Sequence, residues 1–82
     1  MYTIYILQSG KDSSLYIGYT SDLGRRIDQH NAGESRYTKS KIPWHVVYTE
    51  KFKLKSDVIK RERFLKKQRN SEFYKRLIQS GL

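Results

Sequence analysis

Apolar residues fall into short runs that polar stretches separate. Residues 2–7 are apolar, aromatic or β-branched at every position, which is typical of a strand covered on both faces. Gly10 and Asp12 mark a loop, and residues 15–19 form a second apolar run, so the two runs predict a β-hairpin. Residues 44–50, after Pro43, predict a third strand.

The segment between the second and third strands predicts one helix and one loop. Ser21 or Asp22 can cap the helix, and Gly33 suits a left-handed stop at its end. Residues 34–42 are polar and include three basic side chains, so they predict an exposed basic loop.

The C-terminal third predicts two more helices. Ser56 can cap a long helix that extends to about residue 69, and Asn70 or Ser71 can cap a short helix that ends near Gly81. The element order is therefore β-β-α-β-α-α, which belongs to the α+β fold class. A chain of 82 residues is expected to form one domain, residues 1–82, with a modest core.

The net charge of +9 lies mainly at one end of the chain. Residues 1–50 carry six Lys/Arg and five Asp/Glu, whereas residues 51–82 carry eleven Lys/Arg and three Asp/Glu. Such a basic segment attracts polyanions, nucleic acid first and acidic lipid second. The alternative is a solvated helical face that only aids solubility.

The chain contains no cysteine, which excludes disulfides and cysteine-based zinc sites. No run approaches the roughly 18 apolar residues that a membrane helix needs. The N-terminus lacks the pattern of an export signal, so the expected location is the cytoplasm.

Helical geometry distinguishes two adjacent arginines in the first predicted helix. Leu23 and Ile27 define its buried face, and Arg25 then points away from that face into water. Arg26 and His30 are four residues apart and flank the apolar stripe, where a pocket wall would lie. Arg26 could instead be a snorkelling surface arginine, and His30 a partly buried, hydrogen-bonded histidine.

Glu62 is unusual because it lies within an apolar pattern. Val58, Glu62 and Leu65 follow i, i+4, i+7 spacing, which places the carboxylate on the apolar face of the second long helix. Burying a charge without a partner is costly, so a partner is implied. Arg26 in a structural ion pair and a hard cation such as Mg²⁺ are both compatible with this position.

Tyr5 and Tyr16 lie in the first two predicted strands. They share a face only if odd positions of the first strand pair with even positions of the second. A free phenol has a pKa of about 10 and is a poor base at neutral pH. A neighbouring cation such as Arg26 or a metal favours the phenolate. Tyrosines in a small basic protein can also be core residues or platforms for nucleobases.

These residues, in this order, resemble the GIY-YIG nuclease superfamily. Residues 3–5 (Thr-Ile-Tyr) stand where the first tripeptide of the family belongs, and residues 16–18 (Tyr-Ile-Gly) form an intact second one. Residues 21–31 match the family's helix with Arg26 at its arginine position, and residues 60–62 match the region of the metal-binding glutamate. The resemblance spans about residues 2–70 and is strongest to short stand-alone bacterial members, related to the excision-repair nuclease domain that makes the 3′ incision.

The resemblance implies a small three-stranded antiparallel sheet flanked by helices, one Mg²⁺ or Mn²⁺ ion, and in-line attack by water on a phosphodiester. It implies that Tyr5 activates or positions the water and that Tyr16 lines the site and orients phosphate or water. Arg26 would neutralise developing charge, Glu62 would hold the metal, and His30 would be a proton shuttle or a phosphate contact. The basic residues expected to grip the nucleic-acid backbone without reading sequence are Arg36, Lys39, Lys41, Lys66, Lys67 and Arg69.

Three hypotheses follow. The first is a monomeric metal-dependent endonuclease acting on nucleic acid, with DNA expected, in a structure-selective or nonspecific way. The second is a catalytically weak or inactive nucleic-acid-binding domain, since Thr3 replaces the first glycine and Tyr19 stands where some relatives carry a lysine that assists catalysis. The third, a membrane-surface protein, is the weakest because the helices lack a large exposed apolar face.

Overall fold

Three antiparallel strands form a single sheet in a computed structural model that describes residues 1–68 and 70–80. The strands are β1 (Tyr2–Ser9), β2 (Leu15–Thr20) and β3 (Trp44–Phe52), in the spatial order β2-β1-β3. The predicted hairpin of β1 and β2 is confirmed, and β1 is the central strand.

Three α-helices flank this sheet, so the predicted α+β fold and its order β-β-α-β-α-α are confirmed. They are α1 (Leu23–Asn31), α2 (Lys55–Lys67) and α3 (Ser71–Ser80), and a short 3₁₀ helix, Lys39–Lys41, precedes β3. Within the described ranges, no helix has the length and apolar character that crossing a membrane would require.

The two faces of the sheet bury separate clusters because alternate residues of a strand point to opposite sides. On one face, the buried residues of β1 and β2 pack against α2; the cluster is Ile4, Ile6, Ile17, Val58 and Leu65. On the other face α1 covers the sheet; the buried residues are Tyr5, Leu7 and Trp44, and Tyr16, Leu23, Ile27 and Ile42 pack against them. The apolar pattern of residues 2–7 therefore reflects a strand with both faces covered, as predicted.

The helix ends confirm some predicted caps and correct another. Asp22 caps α1, accepting a hydrogen bond from the backbone N of Arg25 at 3.1 Å. Asn70 accepts one from the backbone N of Glu72 at 2.9 Å, at the start of α3. The predicted cap at Ser56 is wrong, because α2 already begins at Lys55 and Ser56 lies in its first turn.

The predicted ends of the helices fare differently. Gly33 has a φ of 79°, the left-handed conformation expected after α1. α2 ends at Lys67, slightly before the predicted residue 69. Arg69 and Gly81 lie outside the described residues.

The segment at 34–42 is not wholly the exposed loop that its polarity predicts. Thr38 is buried, and its carbonyl accepts a hydrogen bond from Trp44 Nε1 at 2.8 Å. The 3₁₀ helix follows directly, so the chain is anchored at this point. A polar residue can be buried here because its hydrogen-bonding groups have partners.

Candidate active site

The hairpin register places the two predicted tyrosines on one face of the sheet. Tyr5 pairs with Gly18 and Leu7 pairs with Tyr16, so odd positions face even positions as that arrangement requires. The ring centroids of Tyr5 and Tyr16 are 6.4 Å apart.

Gly18 makes room for the Tyr5 phenol. A Cβ atom at Gly18 would lie 2.6 Å from the Tyr5 hydroxyl oxygen and 2.9 Å from its Cζ. Tyr5 is only 1% exposed, so its ring has little freedom to move aside. The glycine that ends the second tripeptide is therefore a steric requirement of the buried tyrosine beside it.

Arg26 reaches the tyrosines from α1. Its Nε donates to the Tyr5 hydroxyl at 3.4 Å, and its Nη1 donates to Gln29 Oε1 at 3.1 Å. The hydrogen bond with Tyr5 is the main cause that raises the pKa of Arg26, and the nearby Tyr16 hydroxyl contributes. Arg26 is partly buried whereas Arg25 is exposed, so the helical geometry distinguished the two arginines correctly.

His30 lies fully buried one turn further along α1. Its Nε2 is 3.1 Å from the Tyr5 hydroxyl, and its Nδ1 is 2.8 Å from Thr38 Oγ1. Since the Tyr5 oxygen accepts from Arg26, the consistent assignment has the Tyr5 hydroxyl donating to Nε2 and Nδ1–H donating to Thr38. Arg26, Tyr5, His30 and Thr38 thus form one continuous hydrogen-bonded chain.

Burial dominates the electrostatics of this chain. It raises the pKa of Tyr5, and the hydrogen bond from Arg26 only partly opposes that effect. The predicted contact between Arg26 and Tyr5 is therefore present, but it does not lower the pKa of Tyr5 below the ordinary value. Burial, followed by the charge of Arg26, lowers the pKa of His30, so the imidazole is neutral at pH 7.

Glu62 lies on α2, whose Val58 and Leu65 are buried as predicted, but in the cluster on the opposite face of the sheet from Tyr5 and Tyr16. Its side chain is 19% exposed and its ion-pair partner is Lys66, with Nζ and Oε2 3.5 Å apart. Within the described residues the ion pair with Arg26 does not occur, so that alternative for its partner is wrong. The charge of Glu62 is the smallest of the effects on the pKa of Tyr5, which it acts to raise.

A polar cavity of about 210 Å³ opens beside Arg26. It borders the N-terminus of α1, where the Asp22 carboxylate already accepts a hydrogen bond from the backbone N of Arg25. The residues that line it are Thr20, Ser21, Asp22, Arg25, Arg26 and Gln29.

The residues predicted to grip nucleic acid differ in their surroundings. Arg36, Lys39 and Lys67 are exposed. The Nζ atom of Lys41 instead lies 2.9 Å from Asp12 Oδ2 in an ion pair. Lys66 pairs with Glu62, as described above, and Arg69 lies outside the described residues.

Two parts of the hydrogen-bonding network carry no signal in the sequence. Thr38 orients His30, but it is one hydroxyl in a polar stretch, and nothing in its spacing marks it. Glu50 on β3 binds Arg61 on α2 through two N–O contacts of 2.9 Å each. Both Glu50 and Glu62 can be expected to pair with a basic side chain of α2. Only the three-dimensional structure shows that Glu50 pairs with Arg61 and Glu62 with Lys66.

This chain is similar in sequence and in structure to known proteins of one family. The profile of the family described as the GIY-YIG catalytic domain matches residues 1–76. UPF0213 proteins of Staphylococcus aureus strains Mu50 and COL are 43% identical to this chain over 60 residues, which cover 72% of it and 72% of each relative. The solution NMR structure of a UPF0213 protein from Bacillus halodurans is similar with a TM-score of 0.62 and 32% identity, covering 99% of this chain and 87% of that one.

Proposed function

The chain belongs to the family of GIY-YIG catalytic domains, and from this premise we propose that it is a divalent-metal-dependent endonuclease that hydrolyses phosphodiester bonds of nucleic acid, with DNA as the expected substrate. Membership of the family supports a nuclease-like function and nucleic acid as the partner. The observation that carries the proposal for this chain is the Arg26 guanidinium, which is held by the Tyr5 hydroxyl beside a polar cavity.

Glu62 is the carboxylate that the family resemblance offers to a hard cation, and Lys66 would have to release it for the ion to bind. Among residues 1–68 and 70–80, no three His, Cys, Asp or Glu side chains form a cage for a metal. Mg²⁺ is typically held by one or two carboxylates together with water and substrate phosphate oxygens, and carboxylates also suit Mn²⁺. Glu62 would hold such an ion, which when bound supplies Lewis-acid polarisation of the phosphodiester.

Arg26 supplies positive charge where negative charge develops on the phosphate. Its guanidinium is fixed at Nε by Tyr5 and at Nη1 by Gln29, and it stays protonated. A preorganised cation needs little reorganisation during the reaction, which is the source of electrostatic stabilisation of a transition state. The cavity beside it has the polarity that a phosphate group requires.

The different burial of the two tyrosines favours different tasks for them. Tyr16 is partly buried and lies beside Arg26, so its hydroxyl orients the attacking water or a phosphate oxygen. Tyr5 is enclosed and binds Arg26 and His30, so it positions the guanidinium. His30 remains neutral and holds the Tyr5 hydroxyl through Nε2, while its Nδ1 is held by Thr38 Oγ1.

Nicking of supercoiled plasmid in Mg²⁺ or Mn²⁺ tests the proposal. Arg26→Ala and Glu62→Gln are each expected to reduce the nicking rate by about 10²-fold or more, as loss of a charge-stabilising group does elsewhere. Arg76→Ala is the matched control, because this arginine is exposed on α3 and does not line the cavity beside Arg26. Equal nicking by Arg26→Ala, Glu62→Gln and wild type would contradict the proposal and indicate a contaminating nuclease.

A noncatalytic nucleic-acid-binding domain is the second candidate. It is favoured by the pairing of Glu62 with Lys66, which engages the carboxylate expected to hold the metal. Under this alternative, binding weakens steeply with salt while no metal supports cleavage.

A further inference from the structure

Tyr37 stands out because its large aromatic side chain is 86% exposed. Neither of the two apolar clusters of the sheet includes it. With Arg36 it lines an open depression of about 400 Å³. An aromatic ring this exposed buries little apolar surface in the fold, and beside a guanidinium it is available to stack on a ligand.

The backbone that carries Tyr37 is held in place on both sides. The backbone N of Thr38 and that of Lys39 both donate to the carbonyl of Ser35, at 3.3 Å and 3.0 Å, and close a turn around Tyr37. Thr38, the next residue, is buried and bonded to His30 and Trp44. Presenting a side chain from an anchored turn reduces the entropy that binding must overcome.

Tyr37 is also close to the candidate active site. Thr38 Oγ1 contacts His30 Nδ1, and His30 Nε2 contacts the Tyr5 hydroxyl. Thr38, the residue after Tyr37, is thus linked to the Tyr5 phenol by two hydrogen bonds through the His30 ring. The Tyr37 backbone therefore lies within about 15 Å of that phenol, a distance that a few nucleotides of one strand can span.

We propose that Tyr37, with Arg36, stacks on an unpaired nucleobase a few nucleotides from the phosphodiester held at Arg26, so that the substrate carries a single-stranded segment there. Every nucleobase offers a face for stacking on an aromatic ring, whereas inside a duplex that face is covered by the neighbouring bases. Arg36 and Lys39 are exposed on either side of Tyr37 and match the charge of the strand's phosphates. This inference rests on the proposed function and adds the class of substrate to it.

Binding without metal tests the inference separately from cleavage. Fluorescence anisotropy in EDTA would compare a labelled single strand with an abasic strand of the same length and charge, each as DNA and as RNA. For Tyr37→Ala we expect about five- to 150-fold weaker binding to the strand with bases, as removal of an aromatic stacking platform does elsewhere. The abasic strand should bind Tyr37→Ala and wild type alike, and Tyr37→Phe should keep the wild-type affinity.

Leu54→Ala is the matched control, because it also removes an exposed apolar side chain, which is 59% exposed, but from a different segment. It should bind both strands as wild type does. Equal loss on the two strands, no loss in Tyr37→Ala, or no preference of wild type for the strand with bases would each overturn the inference. A base-dependent loss in a protein that cleaves nothing would support the inference while the proposed nuclease activity fails, and the preferred sugar would distinguish DNA from RNA.

Discussion

Tyr5 and Tyr16 occupy corresponding places in two tripeptides, yet their surroundings differ. Tyr5 pairs across the sheet with Gly18 and is buried, and its hydroxyl is hydrogen-bonded to Arg26 and His30. Tyr16 keeps part of its side chain exposed. A group that must meet water needs access to it, so the proposed function assigns the positioning of Arg26 to Tyr5 and the contact with water to Tyr16.

Replacing each tyrosine by phenylalanine tests this division of tasks. Tyr16→Phe is expected to lower kcat for nicking by about 10²-fold with little effect on stability, because it removes a group that contacts water or phosphate. Tyr5→Phe is expected to lower the free energy of unfolding by about 1–3 kcal/mol, because the buried His30 and the partly buried Arg26 lose a partner.

The measurements are single-turnover nicking rates and urea denaturation at pH 7. Tyr5→Phe should lose less activity than Tyr16→Phe under conditions in which both variants are folded. The reverse ranking would assign the water to Tyr5, as the family resemblance alone implies.

How far the sequence predicts single residues depends on periodicity. Arg26 could be separated from Arg25 because α1 has a regular turn and an apolar stripe to count from. The partner of Glu62 could not be predicted, because Lys66 at i+4 and Arg26 on another element are both compatible with its position. Thr38 could not be predicted either, since its burial depends on where Trp44 and His30 meet in space.

At the scale of elements, a bidentate ion pair joins α2 to β3. Arg61 Nε and Nη2 contact the two carboxylate oxygens of Glu50 at 2.9 Å each, and the Tyr48 hydroxyl donates to the same carboxylate. Burial acts to raise the pKa of Glu50, but the hydrogen bonds from Arg61 and Tyr48 outweigh it and leave the pKa below its usual value of 4.5. The ion pair between Glu50 and Arg61 therefore fastens α2, the helix that carries Glu62, to the sheet.

Loss of this ion pair is expected to destabilise the protein in a pH-dependent way. Glu50→Gln should lower the free energy of unfolding at pH 7 by about 1.5–3 kcal/mol, the range for hydrogen bonds to charged groups. Because the folded-state pKa of Glu50 is lowered, its contribution is present above the unfolded-state pKa and is lost as pH falls through the folded-state pKa. Denaturation series at pH 7 and in acid should show the difference between variant and wild type shrinking in acid.

The ion pair between Lys41 and Asp12 is the comparison. Its side chains are 41% and 43% exposed, and exposed pairs contribute little to stability. Asp12→Asn should leave the denaturation midpoint unchanged. A pH-independent loss in Glu50→Gln would show that the effect comes from packing and not from the charge of Glu50.

The elements themselves were predictable because local pattern and global fold agree. The uninterrupted apolar run of β1 predicts a strand covered on both faces, and it is the central strand of the sheet. Element boundaries were less predictable: α2 starts before Ser56, with Asp57 in its first turn to complement the helix dipole. Propensity and capping residues locate an element well, but tertiary packing decides where it begins and ends.

At the scale of the whole molecule, the net charge is +9. Some of the basic side chains are free to contact a phosphate, whereas others are already paired with a carboxylate of the protein. Lys67 is exposed at the end of α2, whereas Lys41 is paired with Asp12 and also donates to Ser14 Oγ at 2.9 Å. Only a cation that neutralises a phosphate releases a counterion from the nucleic acid. The number of available cations, and not the net charge, should therefore set the salt dependence of binding.

Salt titrations of nucleic-acid binding can count these cations. For wild type, the logarithm of the binding constant should fall linearly with the logarithm of salt concentration, with a slope of about −0.7 per contacted phosphate on single strands. Lys67→Gln should make that slope shallower by about 0.7, because it removes one phosphate contact. Lys41→Gln should leave the slope unchanged, since Asp12 already neutralises this lysine; an equal change in both variants would mean that the ion pair opens when nucleic acid binds.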